Sequence, residues 1–250
     1  MNEGVRVHLI VLICYIVLFY YTSNKFRRTG QVYVRPLEGV EKIKEGVGRA
    51  VEMGRPVHWS YGTGAFDAQH MAAFSLLSYT AKLCAEYDCR LIVSIALPQL
   101  VPMTQEIISK AYSDVGKPNQ YRTEDIKFWG GSHNAAMIGT IAREKVAANF
   151  MIGSLFYESV LGVEAAALNG AIQVGGTANT HQLPFIAAGC DSIFIGAEMF
   201  AASTQIEPTP VRVGCTTTED WLTRVMLVLI VVGSIMVTFG NKSLIDLLKL

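Results

Sequence analysis

The sequence predicts an α/β protein: a Rossmann-like, doubly wound, mainly parallel sheet of about six strands, flanked by N- and C-terminal transmembrane helices. Three observations predict it. The stretch Asn149 to Phe200 repeats one phrase three times: an apolar run, a small-residue turn, then the start of a helix. The runs are 149–152, 171–174 and 192–195, and the turns are Gly153-Ser154, Gly175-Gly176-Thr177 and Gly196-Ala197. Strands that read as unbroken apolar runs, each followed by a helix, belong to a parallel sheet covered on both faces. The third observation is compositional. The 250-residue chain is 51% hydrophobic and only 17% charged, and two uncharged end segments account for the excess.

Leu9 to Tyr21 is apolar and aromatic, with Arg6 before it and Lys25, Arg27 and Arg28 after it. A bilayer core asks for about 20 residues; Val5, Val7 and the snorkelling reach of Arg6 bring the segment near that length. A cleaved signal peptide carries its positive charge ahead of the apolar run and a small-residue cleavage site after it, whereas here most of the charge follows the run and no such site does, so an uncleaved anchor over 5–23 is the expectation. Residues 24–33 read as a basic linker, whose three cations fix topology or touch anionic headgroups. Val32 to Pro36 reads as a brief edge strand, because proline cannot donate to a ladder.

The domain 34–203 then follows. Val40, Ile43, Val47 and Ala50 mark a helix to Met53, with Gly54 as its C-cap and Pro56 as its stop. A strand over 56–59 leads into Ser60-Tyr61-Gly62-Thr63-Gly64, and 67–86 is a helix. A strand over 91–96, a helix over 101–113 and a polar loop over 116–121 come next. A third strand, 126–129, runs into Gly130-Gly131-Ser132-His133, followed by a helix over 134–145. The three strands of the repeated phrase complete the sheet. Residues 204–223 read as a Thr/Pro-rich tether. Residues 224–240 carry no charge beyond Arg224 at their start and read as a second transmembrane helix, with a buried core helix as the alternative. Basic residues beside both spans place the domain on the cytoplasmic side and the tail 241–250 outside, although the two tail lysines oppose that topology.

Net charge is zero, with 21 basic and 21 acidic residues, so no nucleic-acid footprint is present. The five scattered cysteines suit buried reduced thiols in a cytosolic domain. Cys84 and Cys89 lack the second pair that a zinc site needs, so no metal site is expected.

Ligands of such sheets collect beyond the carboxyl ends of the strands. Gly62, Thr63 and Gly64 stand where a dinucleotide phosphate would be cradled, but Asp67 occupies the third glycine position and would repel it, so no cofactor is identified. Gly175, Gly176, Thr177, Asn179 and Gln182 form the most polar turn of that edge. It reads either as a loop binding a small polar or phosphorylated ligand or as an ordinary capping loop. Glu158, Glu198, His133 and His181 all follow strand ends. They could converge for acid–base work, or complement helix dipoles and hydrogen-bond loops.

Two further groups of residues carry a resemblance. One is Val34-Arg35-Pro36-Leu37 with the run Val47 to Pro56. The other is Gly176-Thr177-Ala178, Gln182-Leu183-Pro184-Phe185 and Cys190-Asp191 ahead of Ile195-Gly196-Ala197-Glu198. Together they resemble an uncharacterised prokaryotic family of membrane-anchored proteins known only as a domain of unknown function. The resemblance covers roughly 30–203 and implies a membrane-tethered α/β domain, with no reaction or cofactor. It also implies two adjacent acids after the last strand; Ala197 stands in place of the first, which weakens paired-carboxylate chemistry there. The expected function is a scaffold or small-ligand-binding subunit of a membrane assembly, self-associating on the bilayer. A hydrolase or transferase acting on a nucleotide or sugar phosphate is the alternative.

Overall fold

A computed structural model describes residues 5–30 and 36–238. The chain divides into two compact units. One contains helix α1 (Val5–Thr29) together with the C-terminal helix, and the other is Arg35–Ile206.

In the second unit, α2 (Glu38–Met53) ends at Gly54, whose left-handed backbone (φ +62°) is the αL cap predicted for it. Strand β1 (Val57–Ser60) is followed by α3 (Ala68–Glu86). Asp67 caps α3: its side chain accepts from the Gln69 amide at 2.9 Å, and the Asp67 amide donates back to His70 Nδ1 at 3.3 Å. Next come β2 (Leu91–Ile95), α4 (Leu100–Asp114) and β3 (Ile126–Phe128). They are followed by α5 (His133–Glu144), β4 (Ala148–Ile152) and α6 (Glu158–Ala167). The last four elements are β5 (Ile172–Thr177), α7 (Leu183–Gly189), β6 (Ser192–Ile195) and α8 (Glu198–Ile206).

All six strands pair in parallel, in the order β3-β2-β1-β4-β5-β6. This is the doubly wound arrangement, with its switch point between β1 and β4, where the chain leaves a shared edge in opposite directions. Helices α2, α3, α4 and α8 share one buried apolar cluster around Trp59, Leu76, Leu77 and Phe150. Helices α5, α6 and α7 pack a second cluster around Met137, Ile141 and Met151. Covered on both faces, β1, β2 and β4 are buried at every residue.

A polar row crosses the α5–α7 face. Gln173 Nε2 donates to the Val163 and Gly189 carbonyls, and Asn149 Nδ2 donates to Gln173 Oε1. His58 Nδ1 meets Asn149 Oδ1 at 2.8 Å, and His58 Nε2 meets Ser94 Oγ at 2.9 Å. Carbonyls only accept, so the Gln173 amide is fixed in orientation. That fixes Asn149 in turn and puts the proton of His58 on Nδ1. Burial pushes His58 down to about 4, so the ring is neutral.

Three expectations are corrected. The basic stretch 24–33 is no linker where it is described: it is helical through Thr29, and Arg27 and Arg28 in the last turn complement the helix dipole. The tether 204–223 is helical too. Helix α8 runs to Ile206 and α9 (Pro210–Thr238) begins at a proline, which has no amide to leave unpaired in a first turn. Gly175 and Gly176 are strand, not turn. The edge strand proposed at Val32 to Pro36 falls, apart from Pro36, outside the described residues, as does the tail 241–250.

In the first unit, α1 and α9 approach closely at Gly214, where an added Cβ would sit 3.0 Å from the Phe19 ring and 3.1 Å from Ser23 Cβ. Thr22 Oγ1 lies 3.2 Å from Thr218 Oγ1, so a hydroxyl pair joins the helices where small residues allow contact. Helix α9 has 29 residues and is long and apolar enough to cross a membrane, its best 18-residue window having a mean hydropathy of 2.1.

Candidate functional site

The carboxyl ends of the strands present two polar clusters, one on each side of β1. The first lies over β1, β4 and β5. Glu158, in the first turn of α6, is fully buried. Its Oε1 accepts from the Thr63 amide at 3.1 Å and the Phe156 amide at 2.8 Å, and its Oε2 accepts from the Thr63 hydroxyl at 2.7 Å. The glycine turn after β1 therefore does hold an anion, and the anion is the chain's own carboxylate. Burying such a charge costs several kcal/mol unless donors surround it, and three do.

Glycines make this closure sterically accessible. Gly62 has φ +86°, and a Cβ there would fall 2.5 Å from the Ser154 carbonyl oxygen and 2.9 Å from Glu158 Oε1. Gly64 donates its amide to that same Ser154 carbonyl at 2.9 Å, which zips the β1–α3 loop onto the β4–α6 loop across the switch point. Gly175 and Gly176 do a different job. A Cβ on Gly175 would run into Ile186 of α7, and one on Gly176 would meet Ile152 Cγ2 at 3.1 Å. They let helix and sheet pack closely.

Gln69 ties the same cluster together. Its Oε1 accepts from the Thr177 hydroxyl (3.0 Å) and the Ala178 amide (2.7 Å), while its Nε2 donates to Asp67 Oδ2 (2.9 Å). Asn179 Nδ2 donates to the Leu155 carbonyl at 2.7 Å, and Gln182 Oε1 accepts from Ser159 Oγ at 3.3 Å. Thr63, Glu158, Thr177, Asn179 and Gln182 are thus brought together, with Gln69 added. The signal for Gln69 was its position at the start of a helix whose N-terminus faces the sheet edge.

The second cluster lies beyond β3. His133 is buried, and its Nε2 sits 3.4 Å from Ser60 Oγ at the end of β1. Burial pushes the imidazole down, against the pull of the Glu158 carboxylate and the Ile95 carbonyl. The Ile95 carbonyl already accepts from the Trp129 amide at 3.0 Å, and His133 Nδ1, Trp129 Nε1 and Asn134 Oδ1 make no hydrogen bond of good geometry. Ser60 and His133 resemble the first two members of a nucleophilic relay, but no acid meets Nδ1 and Ser60 is fully buried. The relay is not assembled.

Two predicted residues do not join either cluster. His181 is exposed, its ring 5.5 Å from that of Phe156. Glu198 turns back to accept from the Ile195 amide at 3.0 Å, at the outer strand of the sheet. Four acid–base groups converging on one point is therefore not what the fold builds. Among the described residues, no group of three or more His, Cys, Asp or Glu side chains could hold a metal ion.

Surface cavities lie elsewhere. One of about 300 Å³ sits at the amino ends of β2 and β3, beside Arg90, whose guanidinium clamps the buried Asp125 through Nε (2.9 Å) and Nη2 (2.5 Å). Another, of about 370 Å³, lies between the start of α2 and β6.

A family described as a domain of unknown function, DUF6754, matches residues 2–248. The chain belongs to that family. No curated protein and no solved structure matches it.

Proposed function

We propose that this member of DUF6754 is a two-pass, membrane-tethered module whose α/β domain faces the cytoplasm and acts as a scaffold or small-ligand-binding subunit of a membrane assembly. The observation that carries this reading is the Glu158 carboxylate on the glycine-turn donors. A Rossmann-type enzyme keeps those donors free for a cofactor phosphate; here they are hydrogen-bonded within the chain.

Topology rests on α9 and on the apolar α1, where Leu12, Ile16 and Val17 are all more than half exposed. The positive charge beside both segments favours a cytoplasmic domain. Tethering at both ends confines copies to a plane and raises their effective concentration for one another, which favours a homo-oligomer. A small ligand, where one is taken, belongs at the tip of β3, because Trp129, His133 and Asn134 hold unsatisfied polar atoms there.

The test is a thermal-shift panel of nucleotides, dinucleotides, sugar phosphates and small polar metabolites on the full chain in detergent, with a Trp129→Phe variant alongside. A ligand at a hundred times its dissociation constant adds about 2.7 kcal/mol. No shift with any dinucleotide is expected, and any shift found disappears in Trp129→Phe. A dinucleotide shift that survives Trp129→Phe and is lost in Thr63→Ala would overturn the reading in favour of a cofactor-dependent enzyme.

A further inference from the structure

The end of α3 holds an arrangement that neither polar cluster uses. Cys84 is the third residue from the helix end, Tyr87 is the cap, and Asp88 takes the left-handed conformation at φ +56°. The Cys89 amide donates to the Cys84 carbonyl at 2.8 Å, and the Asp88 amide to the Ala85 carbonyl at 3.5 Å. This is a Schellman closure, which brings the side chains at the two ends of the outer hydrogen bond close together and frequently into contact. In most proteins that contact is aliphatic. Here both of those side chains are thiols, brought together by the closure, and Cys89 Sγ also lies 3.8 Å from the Arg55 carbonyl.

The two sulfurs differ in access. Cys84 is fully buried, while Cys89 is 8% exposed and lines the 300 Å³ cavity with Tyr112, Tyr121, Asn119 and Arg122. They also differ in ease of ionisation. The neighbouring Cys84 thiol holds the Cys89 thiol below its ordinary range, whereas Cys89 and burial push Cys84 up. Cys190, by contrast, is pushed up to about 12 by burial and by Asp191.

We propose that Cys84 and Cys89 are a reversible dithiol–disulfide pair, oxidised through this cavity by a low-molecular-weight disulfide of the glutathione type. Cys89 thiolate attacks one sulfur of the small disulfide; its S–S bond breaks, one small thiolate leaves and takes up a proton, and a mixed disulfide forms on Cys89. Cys84 then loses its proton and attacks Cys89 Sγ, forming the intrachain bond and expelling the second small thiol. Two protein thiols and one small disulfide become one protein disulfide and two small thiols. The small disulfide is reduced by the two electrons that the protein loses.

The test uses the full chain in detergent, incubated with glutathione disulfide, quenched in acid, alkylated and digested with trypsin. Cleavage after Lys82 and Arg90 releases Leu83–Arg90, which contains both cysteines and no third. The expected wild-type peptide is two hydrogens lighter and unalkylated, and glutathione restores both thiols. In Cys84→Ser nothing resolves the mixed disulfide, so Cys89 carries on the order of tenfold more glutathione adduct than in wild type. In Cys89→Ser the buried Cys84 stays unmodified. A wild-type peptide recovered with both cysteines alkylated overturns the proposal, and so do two single variants that form adduct equally. The wild-type measurement decides the matter alone should either variant fail to fold.

Discussion

Two sides of the same strand meet opposite fates in this fold. On the β4–β5 side of β1, Glu158, Gln69, Thr177 and Asn179 satisfy one another and the surrounding amides. On the β3 side, Trp129, His133 and Asn134 each keep a buried polar atom without a partner. A fold that spends its polar groups on holding two loops shut has built a structural clasp. A fold that leaves three of them unpaired within six residues has left buried donors and acceptors for something else to satisfy. The difference separates a closed switch point from a candidate binding position a few residues away, on the same edge of the same sheet.

The contrast can be broken most forcefully at Glu158. Glu158→Ala leaves two amides and a hydroxyl without their acceptor, and a loss of about 4 kcal/mol is expected in urea unfolding; a loss under about 1 kcal/mol would mean that the clasp contributes little. Gly62→Ala attacks the same closure sterically, at a positive φ and against Ser154 and Glu158, and should cost about 2 kcal/mol.

Acid acts on both sides and on the row beneath them. His58, His70 and His133 are all pushed down by burial. The unfolded chain therefore binds more protons than the folded one below the ordinary histidine range. Stability is full above about pH 6.5 and falls as pH drops below it, by up to about 1.4 kcal/mol per pH unit for each histidine kept neutral, with the His58 contribution still falling until about pH 4. His58→Gln should flatten that slope in unfolding curves collected across the range. The smallest effect is expected on the unpaired side. Asn134→Ala removes an acceptor that nothing uses, and its stability should stay within about 1 kcal/mol of wild type.

The sheet was legible because its strands are predominantly apolar and each runs into a helix: every one of the six runs became a strand, and β6 kept its predicted limits. The glycines of β5 were misread as a turn. A glycine that admits a neighbouring helix cannot be told from one that bends the chain until the helix is seen, and Ile186 of α7 is the neighbour here. The tether was misread because threonines and prolines suggest irregular chain. In α9, however, proline sits in the first turn and Thr216 returns its hydroxyl to the Arg212 carbonyl. Thr63 and Glu158 were both singled out, but their contact spans 95 residues of chain, and no local pattern carries it. The row from Ser94 through His58 and Asn149 to Gln173 did leave a trace, a polar residue at the second position of three strands. Read against the strand period of two, those positions share one face.

The central claim is that the glycine turn after β1 is held shut by the chain's own carboxylate. Amide hydrogen exchange at Thr63 tests it most directly. The account predicts a strongly protected Thr63 amide in the wild-type chain, with protection lost in Glu158→Ala while the amides of β4 stay protected. A Thr63 amide that exchanges as freely in the wild type as an open loop would show the turn's donors to be available, and would contradict it.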